Sequence, residues 1–69
     1  MNRRTHHVVP AARGGWNVKR GGAHRASCHR DMKIDAIHAG RIISRNQFSE
    51  LVIHNRNGKI SCSHSHLKH

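Results

Sequence analysis

The dipeptide Asn57-Gly58 lies between Leu51-Val52-Ile53 and Lys59-Ile60-Ser61-Cys62. Asn-Gly flanked by alternating apolar residues is the strongest short-range signal for a β-hairpin, because Gly and Asn tolerate the positive φ that a tight turn requires. A two-residue loop here pairs Arg56 with Lys59, Asn55 with Ile60 and Ile53 with Cys62. That register puts Leu51, Ile53, Ile60 and Cys62 on one face. His54, Arg56, Lys59, Ser61 and Ser63 fall on the other, with Val52 their one apolar neighbour. A slip by one residue scrambles both sets, so turn chemistry and hydrophobic pattern specify the same pairing.

The remaining segments fit around this hairpin. Thr5 to Val9 is short, β-branched and bounded by Pro10, which reads as a first strand. Trp16 to Arg20 alternates, with Trp16 and Val18 facing one way and Asn17 and Lys19 the other. Gly21-Gly22 is a second two-residue turn, returning the chain along Ala23 to Cys28 with Val18 opposite Arg25 and Trp16 opposite Ser27. Asp31 is placed to cap a helix over Met32 to Asn46. At 100° per residue, Met32, Ala36, Ala39 and Ile43 form its inner stripe with Ile42 on the flank, while Ile34 and Ile37 fall on the far side. The expected fold is α+β in the order β-β-β-α-β-β, an antiparallel sheet of about five short strands with one helix on one face. Trp16, Val18, Ala36, Ala39, Ile43, Leu51, Ile53 and Ile60 are its expected core.

Sixty-nine residues fit one small domain, which buries only about 60% of its unfolded surface. The expected frayed parts are an N-terminal arm over about residues 1–4 and a His-rich tail over about residues 64–69. A deep catalytic pocket is hard to wall with 35% hydrophobic residues and two aromatic side chains, Trp16 and Phe48. There is no Gly-x-Ser-x-Gly elbow, and almost no carboxylate to orient a histidine, so no enzyme is expected. No apolar run reaches the ~18 residues of a membrane span. The N-terminal apolar stretch stops after Val8-Val9, so neither signal peptide nor membrane contact is expected. Two cysteines, Cys28 and Cys62, are too few for a disulfide framework, and a reducing cytoplasm fits them. A single Cys28–Cys62 bridge requires strands that bring them together.

His7-Val8-Val9-Pro10, Gly14-Gly15-Trp16-x-Val18-Lys19, the Ala36-Ile37…Ala39 helix and Val52-Ile53-His54…Gly58-Lys59-Ile60 form a series covering about Thr5 to Ser63. The series resembles a family of small uncharacterised bacterial and phage proteins, a domain of unknown function with an HVVP–GGWxVK–IHxxxGxI pattern. The resemblance implies an α+β fold and a bacterial or phage origin, with no activity or catalytic residue to carry over. The many histidines and Gly40 depart from the usual pattern. A helix-interior Gly costs about 1 kcal/mol against Ala, so Gly40 marks close helix packing.

Charge dominates the chemistry. Thirteen Lys and Arg stand against three acids, Asp31, Asp35 and Glu50, for a net charge of +10, and residues 1–30 carry no acid at all. Small domains need a net charge of only about 2–8 for solubility, so the excess points to an anionic partner. Arg outnumbers Lys nine to four, and Arg favours bidentate phosphate contacts. The candidate nucleic-acid contacts form three groups: Arg3, Arg4 and Arg13; Lys19, Arg20, His24 and Arg25; and His54, Arg56 and Lys59. With no aromatic ladder to stack bases, the expected target is duplex DNA or structured RNA, read through its backbone.

The alternative is a phage- or bacterium-encoded module that binds an acidic host protein, through the same basic face or through Ile34 and Ile37. A homodimer through Ile34, Ile37 or an edge strand would enlarge the core. Cys62, His64 and His66 share one strand face at period two, part of a zinc ligand set. No Cys-x-x-Cys accompanies them and they sit at a terminus, so no metal and no cofactor is expected.

Overall fold

A computed structural model describes residues 5–23 and 25–65. Its elements are β1 (Thr5–Pro10), β2 (Trp16–Arg20), β3 (Ala26–Arg30), α1 (Lys33–Asn46), β4 (Glu50–His54) and β5 (Ile60–Ser65). They form the α+β order β-β-β-α-β-β, with one five-stranded sheet ordered β3-β2-β1-β4-β5.

The sheet is mixed, which corrects the expectation of a wholly antiparallel one. β1 and β4 run parallel, with Thr5 opposite Glu50 and Val8 opposite Ile53. Two antiparallel steps leave β3 running in the direction of β1. α1 then carries the chain back across the sheet, so β4 enters beside β1 in that same direction, as a crossover helix allows and a tight turn does not.

The first hairpin turns where expected but pairs differently. The Ala23 N–H donates to the Arg20 carbonyl at 3.0 Å across Gly21-Gly22. Of the two glycines only Gly22 has a positive φ, 81°, which fits a type II turn; type I′ needs both. β3 starts at Ala26 rather than Ala23, and a bulge between Val18 and Lys19 sets Val18 opposite Cys28 and Trp16 opposite Arg30. Arg25 and Ser27 are therefore not the partners of Val18 and Trp16. The observed register brings the part-buried Cys28 thiol against the core, where the expected one would have set a guanidinium that costs far more to bury.

The second hairpin also departs near its tip. Asn55 N–H donates to the Lys59 carbonyl at 2.7 Å and Gly58 N–H to the Asn55 carbonyl at 3.0 Å. The loop is thus Arg56-Asn57-Gly58, with only Gly58 at positive φ, 87°, the type I turn plus bulge geometry of three-residue hairpins. His54 then faces Ile60, and a bulge restores the expected Ile53–Cys62 pair. Ile60 shares the face of His54 and is 64% exposed, so it leaves the core. Cys62 is exposed as well. The reason is coverage: α1 packs on β1, β2, β3 and β4 and makes no contact with β5. Val52, expected outside the core, is buried between His7 on β1 and Ser63 on β5.

α1 begins at Lys33, with Met32 in the cap position, extended (φ −111°) and without a side-chain cap bond. Asp31 is therefore not the cap. The helix buries Ala36, Gly40 and Ser44, while Ile37, Ala39 and Ile43 pack around the edge of the core. Met32 and Ile42 are exposed, against expectation, as is Ile34. Ile37 turns out to be a core neighbour rather than part of an outer patch. At Gly40 an added Cβ would stand 3.0 Å from Leu51 Cδ1 and 3.2 Å from Val8 Cγ2, the close approach its cost in helix propensity implied. The helix ends in a Schellman arrangement: Ser49 N–H donates to the Ser44 carbonyl and Phe48 N–H to that of Arg45, with Phe48 left-handed at φ 51°.

The core is Val8, Trp16, Val18, Ala36, Leu51 and Ile53. One polar chain enters it: His6 Nδ1 lies 2.7 Å from Ser49 Oγ, which reaches Ser44 Oγ at 3.1 Å, and Ser44 Oγ donates to the Ser49 carbonyl at 2.6 Å. Cys28 and Cys62 are free and lie on opposite edge strands. Four strand spacings of about 4.8 Å separate those edges, too far for a bridge.

Candidate nucleic-acid interface

Strand alternation decides what the uncovered face of the sheet carries. On β1, His6 and Val8 are buried toward α1, so Thr5, His7 and Val9 point away from it. On β2, Trp16 and Val18 are buried and Asn17 and Lys19 point away. The registers set His7 beside Lys19 and Asn17 beside His29. The parallel β1–β4 pair then brings His54 up to His7, with His7 Nδ1 3.0 Å from His54 Nε2.

Two shallow depressions lie on this open face. One, of about 280 Å³, is lined by His7, His54, Lys19, Arg20 and the Gly21-Gly22 turn. The other, of about 500 Å³, is lined by Arg13, Asn17, His29 and the β1–β2 loop. There His29 Nδ1 lies 2.7 Å from Asn17 Oδ1, while its Nε2 is 3.9 Å from the exposed Asp31 carboxylate. Gly15 gives the His29 ring its room, since a Cβ there would come within 2.7 Å of Nε2. Burial pushes the His7 pKa down and His54 adds to that, while Glu50 pulls the other way.

The candidate residues separate into three outcomes. Lys19 and His54 come together on the open face, Arg13 lines the second depression there, and Arg20, opposite the buried His6, stands exposed at the rim. Arg25 is exposed in the connection before β3, and Lys59 is exposed at the hairpin tip, its N–H donating to Asn57 Oδ1 at 3.0 Å. Arg56 leaves the expected outer face: its guanidinium sits 5.3 Å from the centroid of the Trp16 ring, which Lys33 Nζ also approaches at 5.0 Å. A buried aromatic ring with an electron-rich face draws both cations to the helix side. Arg3, Arg4 and His24 lie outside the described residues.

Of the partial metal set, Cys62 Sγ and His64 Nε2 meet at 3.7 Å, and His66 lies outside the described residues. Among the described residues no group of three or more His, Cys, Asp or Glu side chains is placed to hold a metal ion. No described helix is long and apolar enough to cross a membrane.

His7, Asn17 and His29 are the interface residues that the candidate set left out. Alternation around Val8 was enough to place His7 opposite the core, but its neighbour His54 depends on the parallel pairing, which no local pattern shows. The His6–Ser49 contact joins a base to a hydroxyl, yet both side chains are buried, at 1% and 0% exposure, so no substrate reaches that hydroxyl.

The sequence model of a family described as "Uncharacterized protein conserved in bacteria (DUF2188)" matches residues 6–66. The chain belongs to this family. No curated protein and no solved structure matches it. For this DUF2188 chain the candidate interface rests on the chain's own geometry.

Proposed function

We propose that this DUF2188 protein is a small, non-enzymatic binding module that contacts the phosphate backbone of duplex DNA or structured RNA through the open face of its sheet. The observation that carries the reading is that Lys19, His7 and His54 share the one sheet face that α1 leaves uncovered, with Arg13 in a second depression on that face and Arg20 at its rim. Backbone binding asks for positive charge within reach of phosphates and for little else. The face offers few groups shaped for base edges and no aromatic platform, so affinity is electrostatic and sequence matters little. Arg25 and Lys59 lie at the periphery and add to the field rather than to a fixed contact.

A gel-shift series at low salt, on duplex DNA and on a folded RNA, tests this. If about five phosphates are neutralised, log K falls against log salt with a slope of about −4 to −5 on duplex DNA. Changing Lys19 and Arg20 together to Ala flattens the slope by about 2, whereas Arg56→Ala, whose guanidinium lies on Trp16, changes it by less than about 1. No binding to either nucleic acid at micromolar protein would transfer the open face to an acidic protein partner.

A further inference from the structure

The 3.0 Å between His7 Nδ1 and His54 Nε2 has room for one shared N–H: one ring donates and the other accepts. On its other side, His7 Nε2 lies 3.2 Å from Thr5 Oγ1. Adding one proton to the neutral pair leaves the arrangement whole, because a His7 imidazolium donates from Nδ1 to His54 and from Nε2 to Thr5. Adding a second sets N–H against N–H and opens the contact. An acceptor that takes both N–H groups is needed to hold the pair fully protonated.

The surroundings favour such an acceptor. From β2, Lys19 stands opposite His7 in the register. Arg20 and the Gly21-Gly22 turn close the far wall of the ~280 Å³ depression. From β4 comes Glu50, the one acidic group among the described residues that is felt by His7, placed opposite Thr5. α1 lies on the other side of the sheet. Lys19 and two imidazoles thus line a concave surface, with Arg20 at its rim.

We infer that this depression is a proton-linked phosphate subsite: a phosphate group seats among His7, His54 and Lys19 with Arg20 at the rim, accepts an N–H from each imidazole in place of their mutual bond, and draws a proton from solution onto the pair. No covalent bond forms or breaks; the only change is the proton gained. That the phosphate is a backbone phosphodiester rests on the reading under Proposed function, while the subsite itself is tested without it.

The test follows the imidazole C–H resonances of the full chain by NMR from pH 8 to pH 5, in dimethyl phosphate, in inorganic phosphate and in chloride at matched ionic strength. The His7 and His54 signals are assigned by their loss in His7→Gln and His54→Gln. Both are expected to titrate at higher pH, by about half a unit or more, in either phosphate than in chloride, while His38 on the exposed side of α1 does not move. Lys19→Ala, which leaves both rings in place, is expected to shrink the difference. No difference, or an equal one at His38, overturns the subsite.

The second arm measures duplex affinity at fixed salt at pH 7.5 and pH 6. Linkage of one proton tightens binding by up to about tenfold per pH unit, and His54→Gln is expected to lose that increment while His38→Gln retains it. Duplex binding whose pH dependence survives His54→Gln sinks the subsite and leaves the nucleic-acid reading standing. Phosphate-shifted imidazoles with no duplex binding uphold the subsite, assign it to a free phosphate compound and sink the nucleic-acid reading.

Discussion

His6 Nδ1 lies 2.7 Å from Ser49 Oγ, inside the fold and out of reach of solvent. The contact ties β1 to the segment that follows α1, and the Ser49 and Ser44 hydroxyls carry it on to the helix end. Protonation of a buried ring is opposed by lost hydration, so burial lowers the His6 pKa, with Arg20 and His7 lowering it further. His7 is lowered too. A histidine with a lowered folded pKa contributes stability that is present above the unfolded value near 6.5 and is lost as pH falls from there through the folded value.

Denaturant unfolding between pH 7.5 and pH 5 is therefore expected to show stability falling from about pH 6.5 downward, less steeply in His6→Leu. Ser49→Ala strips the imidazole of its partner and is expected to cost about 1–3 kcal/mol at pH 7.5. An unchanged pH profile in His6→Leu would assign the acid loss to the other histidines.

Gly40 makes a second prediction, in which two effects compete. Ala there gains about 1 kcal/mol of helix propensity, but overpacking costs about 1–3 kcal/mol. The atoms that must give way belong to Leu51 and Val8, both 0% exposed, so the overpacking is expected to win and Gly40→Ala to destabilise by about 1 kcal/mol. Gly40→Ala combined with Leu51→Val is expected to cost less than the two single changes added, a coupling a double-mutant cycle reads directly.

The tip of the second hairpin gives a test of register. Ile60 is 64% exposed and Ile53 is 2% exposed. Ile60→Ser is expected to change stability by no more than about 0.5 kcal/mol, and Ile53→Ala to cost about 2–5 kcal/mol. Comparable losses at both positions would restore the tighter two-residue loop and put Ile60 back in the core.

Both ends of α1 leave stability unclaimed. Met32 caps without a side-chain bond, so Met32→Ser is expected to stabilise by about 1 kcal/mol. Phe48 holds a left-handed φ of 51° at the helix stop, a position that suits Gly, so Phe48→Gly is expected to stabilise by about 1 kcal/mol. Melting curves of the single and combined variants check both, and two sites so far apart are expected to add.

Much of this architecture is legible in local pattern. Trp16–Arg20 alternates and is a strand with those bounds; Leu51 and Ile53 face the core; Gly40 is a point of close approach. What failed were features decided elsewhere in the fold. The three-residue loop and its bulge turn Ile60 to the face of His54, and Cys62, though opposite Ile53, lies on β5 where α1 does not extend, so neither is buried. The Gly21-Gly22 turn is real, yet the register of β3 follows Cys28 settling against the core rather than the nearest residues to the turn. Arg56 has the sequence position of an outward cation, and Trp16, forty residues earlier on the chain, takes it to the other side. The interface was legible as charge at Arg13, Lys19, Arg20 and His54. Its centre, the His7–His54 pair, is a product of parallel pairing, which leaves no mark in local spacing.

The β1–β4 ladder also governs the order in which the molecule can be completed. Both hairpins close over short stretches of chain and are able to form early, but the ladder that joins them pairs the first strand with the fourth, across most of the chain's length. During synthesis the open edge of β1 emerges first and waits, unpaired, until the helix and β4 have left the ribosome. Loop-closure entropy makes that step the slow one, and the waiting edge is a template that a neighbouring copy's β4 can fill. Refolding at high concentration is therefore where strand-exchanged pairs of this chain should be sought, and Pro10, which has no N–H to offer, limits how far along β1 such an exchange can extend.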